Sequence, residues 1–146
     1  MISIKDVKDA VALKLSKEFQ QNIVYDEQVR QGFEAPAFFV QLIPINTTRS
    51  SFFTKNPTLV VDIHFFPREE CNDELYDMQD KLENSFIIGI QVKDRFINIQ
   101  KTEYEIVDFV LHFQINLDYL VSIRDVINKD NENTQLMGEI NLNIKE

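Results

Sequence analysis

The clearest pattern in the chain is an alternation of apolar and polar residues from Val107 to Asp118. Apolar side chains occupy the odd positions and polar side chains the even ones, and the pattern is interrupted only at Val110. A period of two places one set of side chains on the buried face of a β-sheet and the other on a polar or solvated face. The sequence therefore predicts one long strand, from Thr102 to Ser122, as the spine of the domain.

Two segments have the three- and four-residue spacing of amphipathic helices. The first covers residues 4–20, with Ser3 as N-cap and Asp6 three residues later in a weak capping box. The second covers residues 72–86, with Asn72 as the predicted cap and an acidic outer face. The apolar stripes are formed by Ile4, Val7, Val11, Leu15 and Phe19 in the first helix, and by Leu75, Met78, Leu82 and Phe86 in the second. We expect both stripes to cover the apolar side of the sheet.

Apolar runs bounded by turn residues predict further strands. They lie at Ile23–Tyr25, Ala37–Ile45, Thr58–Phe66, Ile87–Val92 and Phe96–Gln100. Pro44 marks a bulge or a sheet edge, and the polar stretch Asn46–Pro57 is predicted to be a loop that joins two antiparallel strands. The fold class is therefore α+β, with an antiparallel or mixed sheet and two amphipathic helices packed on one face.

We predict a single α+β domain over residues 1–127. Residues 128–135 contain no apolar side chain, which is typical of a flexible tether. After this tether, Ile140, Leu142 and Ile144 alternate with polar residues in the pattern of an edge strand. Residues 128–146 therefore form a tether and a strand that pairs with its own domain or with a neighbouring subunit.

Composition narrows the functional class. The 146 residues carry a net charge of −9, which disfavours a direct grip on the phosphates of nucleic acid and also suits a lumen that a polyanion crosses. One cysteine excludes an internal disulfide framework. No apolar run approaches the roughly 20 residues of a membrane span. These features predict a structural protein without membrane or sequence-specific nucleic-acid partners.

The histidines are the best candidates for chemistry. By parity Asp62 and His64 share one face of their strand, and Asp108 and His112 share one face of theirs. If the strands are neighbours, a metal site and a metal-binding enzyme are possible interpretations. The favoured interpretation is a polar sheet face of Asp62, His64, Asp108, His112, Gln114 and Asn116, directed at a neighbour, a lumen or water. We predict no catalytic residue, metal or cofactor, since Cys71 is surrounded by acids and no Gly-rich phosphate loop is present.

The polar stretch after the first long strand contains two adjacent aromatics beside basic residues. Exposed aromatic side chains next to Arg are typical interface anchors; the alternative is that one Phe folds back onto the end of the sheet. The predicted interface residues are Arg49, Phe52, Phe53 and Lys55 from this stretch and Ile140, Leu142 and Ile144 from the C-terminal strand.

A series of short motifs, in order along nearly the whole chain, resembles the tail terminator (tail completion) family of phages, defective prophages and phage-derived bacteriocins. The motifs are Gln31-Gly32-Phe33, Pro36-x-Phe38-Phe39-Val40, Arg49, Asp62-Ile63-His64-Phe65-Phe66, the Met78–Phe86 helix, His112-Phe113 and Leu136-Met137-Gly138-Glu139.

The resemblance implies a small α+β subunit of a ring, commonly a hexamer, at the head-proximal end of the tail tube. Such a ring stops tube polymerisation and offers a joining surface to the head connector or collar. Its implied partners are other copies of itself, the tail tube and, in contractile tails, the sheath. The implied location is the virion tail, with assembly in the host cytoplasm. A head-completion or connector-adaptor protein of the same junction is the alternative, and no catalytic residues accompany the family.

Overall fold

The computed structural model describes residues 2–25 and 33–131. Its elements are α1 (Ile4–Glu18), β1 (Ile23–Tyr25), β2 (Ala37–Ser51), β3 (Thr54–Phe66), α2 (Asn72–Phe86), β4 (Gly89–Val92), β5 (Arg95–Val107), β6 (Val110–Asp118), β7 (Val121–Ser122) and a helix α3 that is described over residues 124–131. The chain is thus an α+β protein, as predicted.

One mixed sheet organises the fold. The strand order is β1-β2-β3-β6-β5-β4, and β7 pairs with the start of β3. The pair β1–β2 is parallel, whereas the other pairs are antiparallel. β3 and β6 therefore lie side by side at the centre. The polar side chains of these two strands can converge only if the strands are neighbours, and this condition is met.

The hydrophobic core lies between the sheet and the two long helices. Both predicted helix stripes are confirmed at their centres, where Val7, Val11 and Leu15 of α1 and Leu75, Met78, Leu82 and Phe86 of α2 are buried. From the central strands the core takes alternate residues of β3 and β6, including Ile63, Phe65, Leu111 and Phe113. The residues between them face the other side of the sheet, which we call the outer face.

α1 begins with the predicted capping box. The Ser3 hydroxyl accepts the Asp6 backbone N–H at 3.1 Å, and the Asp6 carboxylate accepts the Ser3 N–H at 2.9 Å. These bonds, with Lys93 Nζ at 3.0 Å from Asp6 Oδ2, lower the pKa of Asp6 to about 2. A charged Asp6 therefore supports the positive end of the helix dipole over the neutral pH range.

We expect Ser3→Ala to lower the free energy of unfolding by about 1 kcal/mol, since it removes one half of the capping box. Urea unfolding of the full chain measures this loss. Ser16→Ala is the matched control, because Ser16 is an exposed position within α1 and alanine is the better helix former there. An equal loss in both variants would contradict the role of Ser3 as a cap.

The predicted long strand from Thr102 to Ser122 is wrong: it is a hairpin of β5 and β6. Its turn is Asp108–Phe109, with φ of 50° and 58°, and Val107 pairs directly with Val110. Positive φ at both central residues is the type I′ geometry that matches strand twist. Leu111, Phe113, Ile115 and Leu117 are buried as predicted, but Phe109 is 41% exposed in the turn.

The predicted loop Asn46–Pro57 is also wrong. β2 and β3 continue as an antiparallel ribbon to a two-residue turn at Phe52–Phe53, with register shifts after Pro44 and after Arg49. The first shift confirms the bulge predicted at Pro44. The ribbon is mostly polar and lacks the apolar alternation that indicates a strand, so its sequence resembled a loop. We call residues 45–57 the arm.

Three smaller predictions also differ from the structure. The cap of α2 is Cys71, without a side-chain hydrogen bond, rather than Asn72, and β4 begins at Gly89 rather than Ile87. Residues 128–131 of the predicted tether are helical and belong to α3. At the start of α3 the Ser122 hydroxyl accepts the Arg124 N–H. The rest of the tether, and the predicted strand residues Ile140, Leu142 and Ile144, lie outside the described residues.

Candidate functional site

The arm is a highly exposed ribbon of two strands. Every residue from 43 to 53 is exposed, and Phe52 and Phe53 form its tip with exposures of 62% and 40%. Both rings are exposed, whereas a ring folded back onto the end of the sheet would be buried. The arm presents two aromatic rings to the surroundings of the subunit.

Cation–π and hydrogen-bond contacts hold the two rings in place. The Arg49 guanidinium lies 5.2 Å from the centroid of the Phe52 ring, and its Nη2 donates to the Phe52 carbonyl at 2.9 Å. The Phe52 and Phe53 rings meet edge to face at 4.8 Å, and the Arg124 guanidinium lies 4.2 Å from the Phe53 centroid. The tip is therefore a pre-ordered cluster of two aromatics and two arginines, of which the sequence analysis missed Arg124.

The arm is supported along one side. β7 pairs with Thr54 and Lys55 of β3, and the Ile123 N–H donates to the Phe53 carbonyl at 2.8 Å. Lys55 is half-buried at this junction and pairs with Arg49 across the arm, next to the tip. An isolated two-stranded hairpin is marginally stable, and this third strand supplies support that such a hairpin lacks.

A second group of polar side chains lies on the outer face. Cross-strand pairing aligns His64 of β3 with His112 of β6, and Asp62 with Gln114. The His64 Nε2 atom lies 2.8 Å from Asp62 Oδ2, and the two imidazole centroids are 4.2 Å apart. We call Asp62, His64 and His112 the histidine cluster.

The electrostatics of the histidine cluster are unusual for a sheet surface. Burial, with a smaller effect from His64, lowers the pKa of His112 below its usual 6.5, although Asp62 and Glu105 oppose this shift. The second carboxylate oxygen of Asp62, Oδ1, is buried and has no hydrogen-bond partner. His112 is therefore neutral at pH 7, and the cluster contains an unsatisfied acceptor.

Asp108, the fourth residue of the metal interpretation, does not join the cluster, because it lies in the β5–β6 turn. Gln114 and Asn116 do share the outer face: Gln114 stands between Asp62 and Glu103, and Asn116 between Val60 and Lys101. The structure thus brings Asp62, His64, His112, Gln114 and Asn116 to one face and leaves Asp108 at its end.

An aromatic group that the sequence analysis missed adjoins the histidine cluster. Phe39 pairs with His64 in register and is 3% exposed. Its ring contacts Tyr25, Phe33 and Phe66 at centroid distances of 5.0, 5.2 and 5.0 Å. The continuous apolar run Ala37–Val40 was the available signal, since such a run is typical of a strand buried on both faces.

Comparison with known families decides the class of the protein. The family model described as phage tail terminator protein matches residues 6–131, which is most of the chain. The chain belongs to the phage tail terminator family. No curated protein matches it.

Family membership confirms the resemblance found in the sequence. This tail terminator protein is a structural component of the phage tail, and its place is the virion tail. Within the described residues, no helix has the length and apolar character needed to cross a membrane.

Proposed function

We propose that this tail terminator forms a ring at the head-proximal end of the tail tube. The ring stops tube polymerisation and provides the surface that joins the tail to the head or collar. A hexamer is the expected ring, with the tail tube, the sheath of a contractile tail and the head connector as its partners.

The arm is the observation that carries this proposal. It extends the two strands β2 and β3 beyond the part of the sheet that contributes buried side chains, and it holds Phe52 and Phe53 exposed at its tip. Phe and Arg side chains are enriched at protein–protein interfaces relative to the rest of the protein surface. An ordered projection with such a tip suits contact with a neighbouring subunit better than it suits solvent.

The sheet edges and the charge also support a ring. β1 and β4 end the strand order, and within the described residues each pairs with one other strand. Open edges allow subunits to associate by main-chain hydrogen bonds. The net charge of −9 limits adhesion of DNA to a lumen that it crosses.

Electron microscopy of particles assembled without this protein tests the proposal. We expect tails of uncontrolled length that do not join heads, because nothing stops addition of tube subunits. Tails of normal length that remain separate from heads would instead indicate a head-completion protein. Normal tails on complete particles would contradict both functions, and restoring the intact gene is the control.

A further inference from the structure

We propose that Asp62, His64 and His112 bind one divalent transition-metal ion, with Zn²⁺ as the ion to be tested. Two imidazole nitrogens and one carboxylate oxygen are a donor set that zinc uses in proteins. This site is independent of the terminator function, since it lies on the outer face away from the tip of the arm.

The three side chains converge closely enough for one ion. Their candidate ligand atoms all lie within 4.8 Å of one another, and His64 Nε2 lies 2.8 Å from Asp62 Oδ2. Bonds of about 2.0–2.2 Å to a tetrahedral zinc place ligand atoms roughly 3.4 Å from each other. This distance lies between 2.8 Å and 4.8 Å, so the ligand atoms already stand near the spacing that a zinc ion requires.

Asp62 supplies a second, independent argument. Aspartate is depleted in strands, yet Asp62 lies within central strand β3 with a side chain only 9% exposed. Its Oδ2 meets His64, whereas Oδ1 is buried without a partner. A buried acceptor without a partner is costly, and a bound cation removes that cost.

Access from solvent also favours a metal. An open cavity of about 500 Å³ is bordered by His112, Gln114 and residues 102–105 of β5, which leaves a path from solvent to the His112 ring. Glu105 stands opposite His112 in register, so its carboxylate or a water molecule is the candidate fourth ligand.

Zinc binding to the tag-free full chain, stripped with EDTA and titrated with ZnCl2, tests the site by calorimetry and by metal analysis after dialysis. We expect one zinc per chain in the wild type. Removing a group that merely orients a ligand costs about 10- to 100-fold in affinity, so His112→Gln should lose at least tenfold. Asp108→Asn is the matched control and should bind like the wild type, because Asp108 lies in the turn and Asn tolerates positive φ.

NMR of the imidazole resonances keeps the test decisive if His112→Gln fails to fold. The chain contains two histidines, His64 and His112, and stoichiometric zinc should shift the resonances of both in the wild type. Absence of stoichiometric zinc, equal affinity in His112→Gln and Asp108→Asn, or zinc bound without a shift of either imidazole would each overturn the proposal.

Discussion

Replacing Phe113 with alanine should lower the free energy of unfolding by about 3–5 kcal/mol. Phe113 is fully buried on β6, with its ring centroid 6.5 Å from that of Phe86 on α2 and 6.4 Å from that of Tyr104 on β5. The substitution removes the aromatic surface that joins the sheet to a helix, and it leaves a cavity that the surrounding strands cannot close. Urea unfolding at low protein concentration measures the loss without a contribution from self-association.

Phe109→Ala is the matched control for this variant. The alternating sequence assigns Phe109 and Phe113 to the same buried face, whereas the structure places Phe109 in the exposed turn between β5 and β6. We therefore expect its unfolding free energy to change by less than about 1 kcal/mol. Similar large losses at both positions would indicate one continuous strand and would contradict the hairpin.

Replacing both Phe52 and Phe53 with alanine should abolish ring formation while leaving the subunit folded. Truncation of a dominant aromatic at an interface typically costs 2 kcal/mol or more, about 30-fold in affinity for each side chain. Both rings are exposed in the single subunit, so their loss removes little packing from the fold. Mass photometry across a concentration series measures the assembly, and urea unfolding measures the subunit.

Tyr76→Ala provides the control for the arm. Tyr76 is an aromatic on α2 with 51% exposure, comparable to the two rings of the tip, but it lies on a different element. We expect rings and tails of normal length from this variant. If Phe52→Ala/Phe53→Ala assembles as well as Tyr76→Ala, the arm is not the contact that closes the ring, and the observation that carries the proposed function is lost.

The two long helices were predicted well because their signals are local. α2 coincides with the predicted residues 72–86, and α1 ends two residues before the predicted end. A capping box and an apolar stripe at three- and four-residue spacing lie within a few turns of chain. The N-cap of α2 was predicted one residue too late: the sequence predicted Asn72 as the N-cap, whereas Cys71 occupies that position in the structure.

The hairpin at Asp108–Phe109 was missed although the sequence contained a signal for it. Tyr104 and Ile106 lie at even positions, while the buried residues from Leu111 onward lie at odd positions. A two-residue turn pairs residues of opposite parity, as Val107 with Val110, and therefore inverts the alternation. Because Val107 and Phe109 are apolar and lie at odd positions, the alternation of β6 seemed to begin before the turn, and the inversion was not recognised.

The sequence by itself determined the α+β class and the two long helices. It also determined, for each histidine, which face of its strand the side chain occupies. These properties follow from periodicity, which depends on neighbours along the chain. Tertiary structure alone decided that His64 aligns with His112, that Asp108 stays apart, and that Arg124 reaches the Phe53 ring. These contacts depend on strand order and register, which residues far apart in the chain set together.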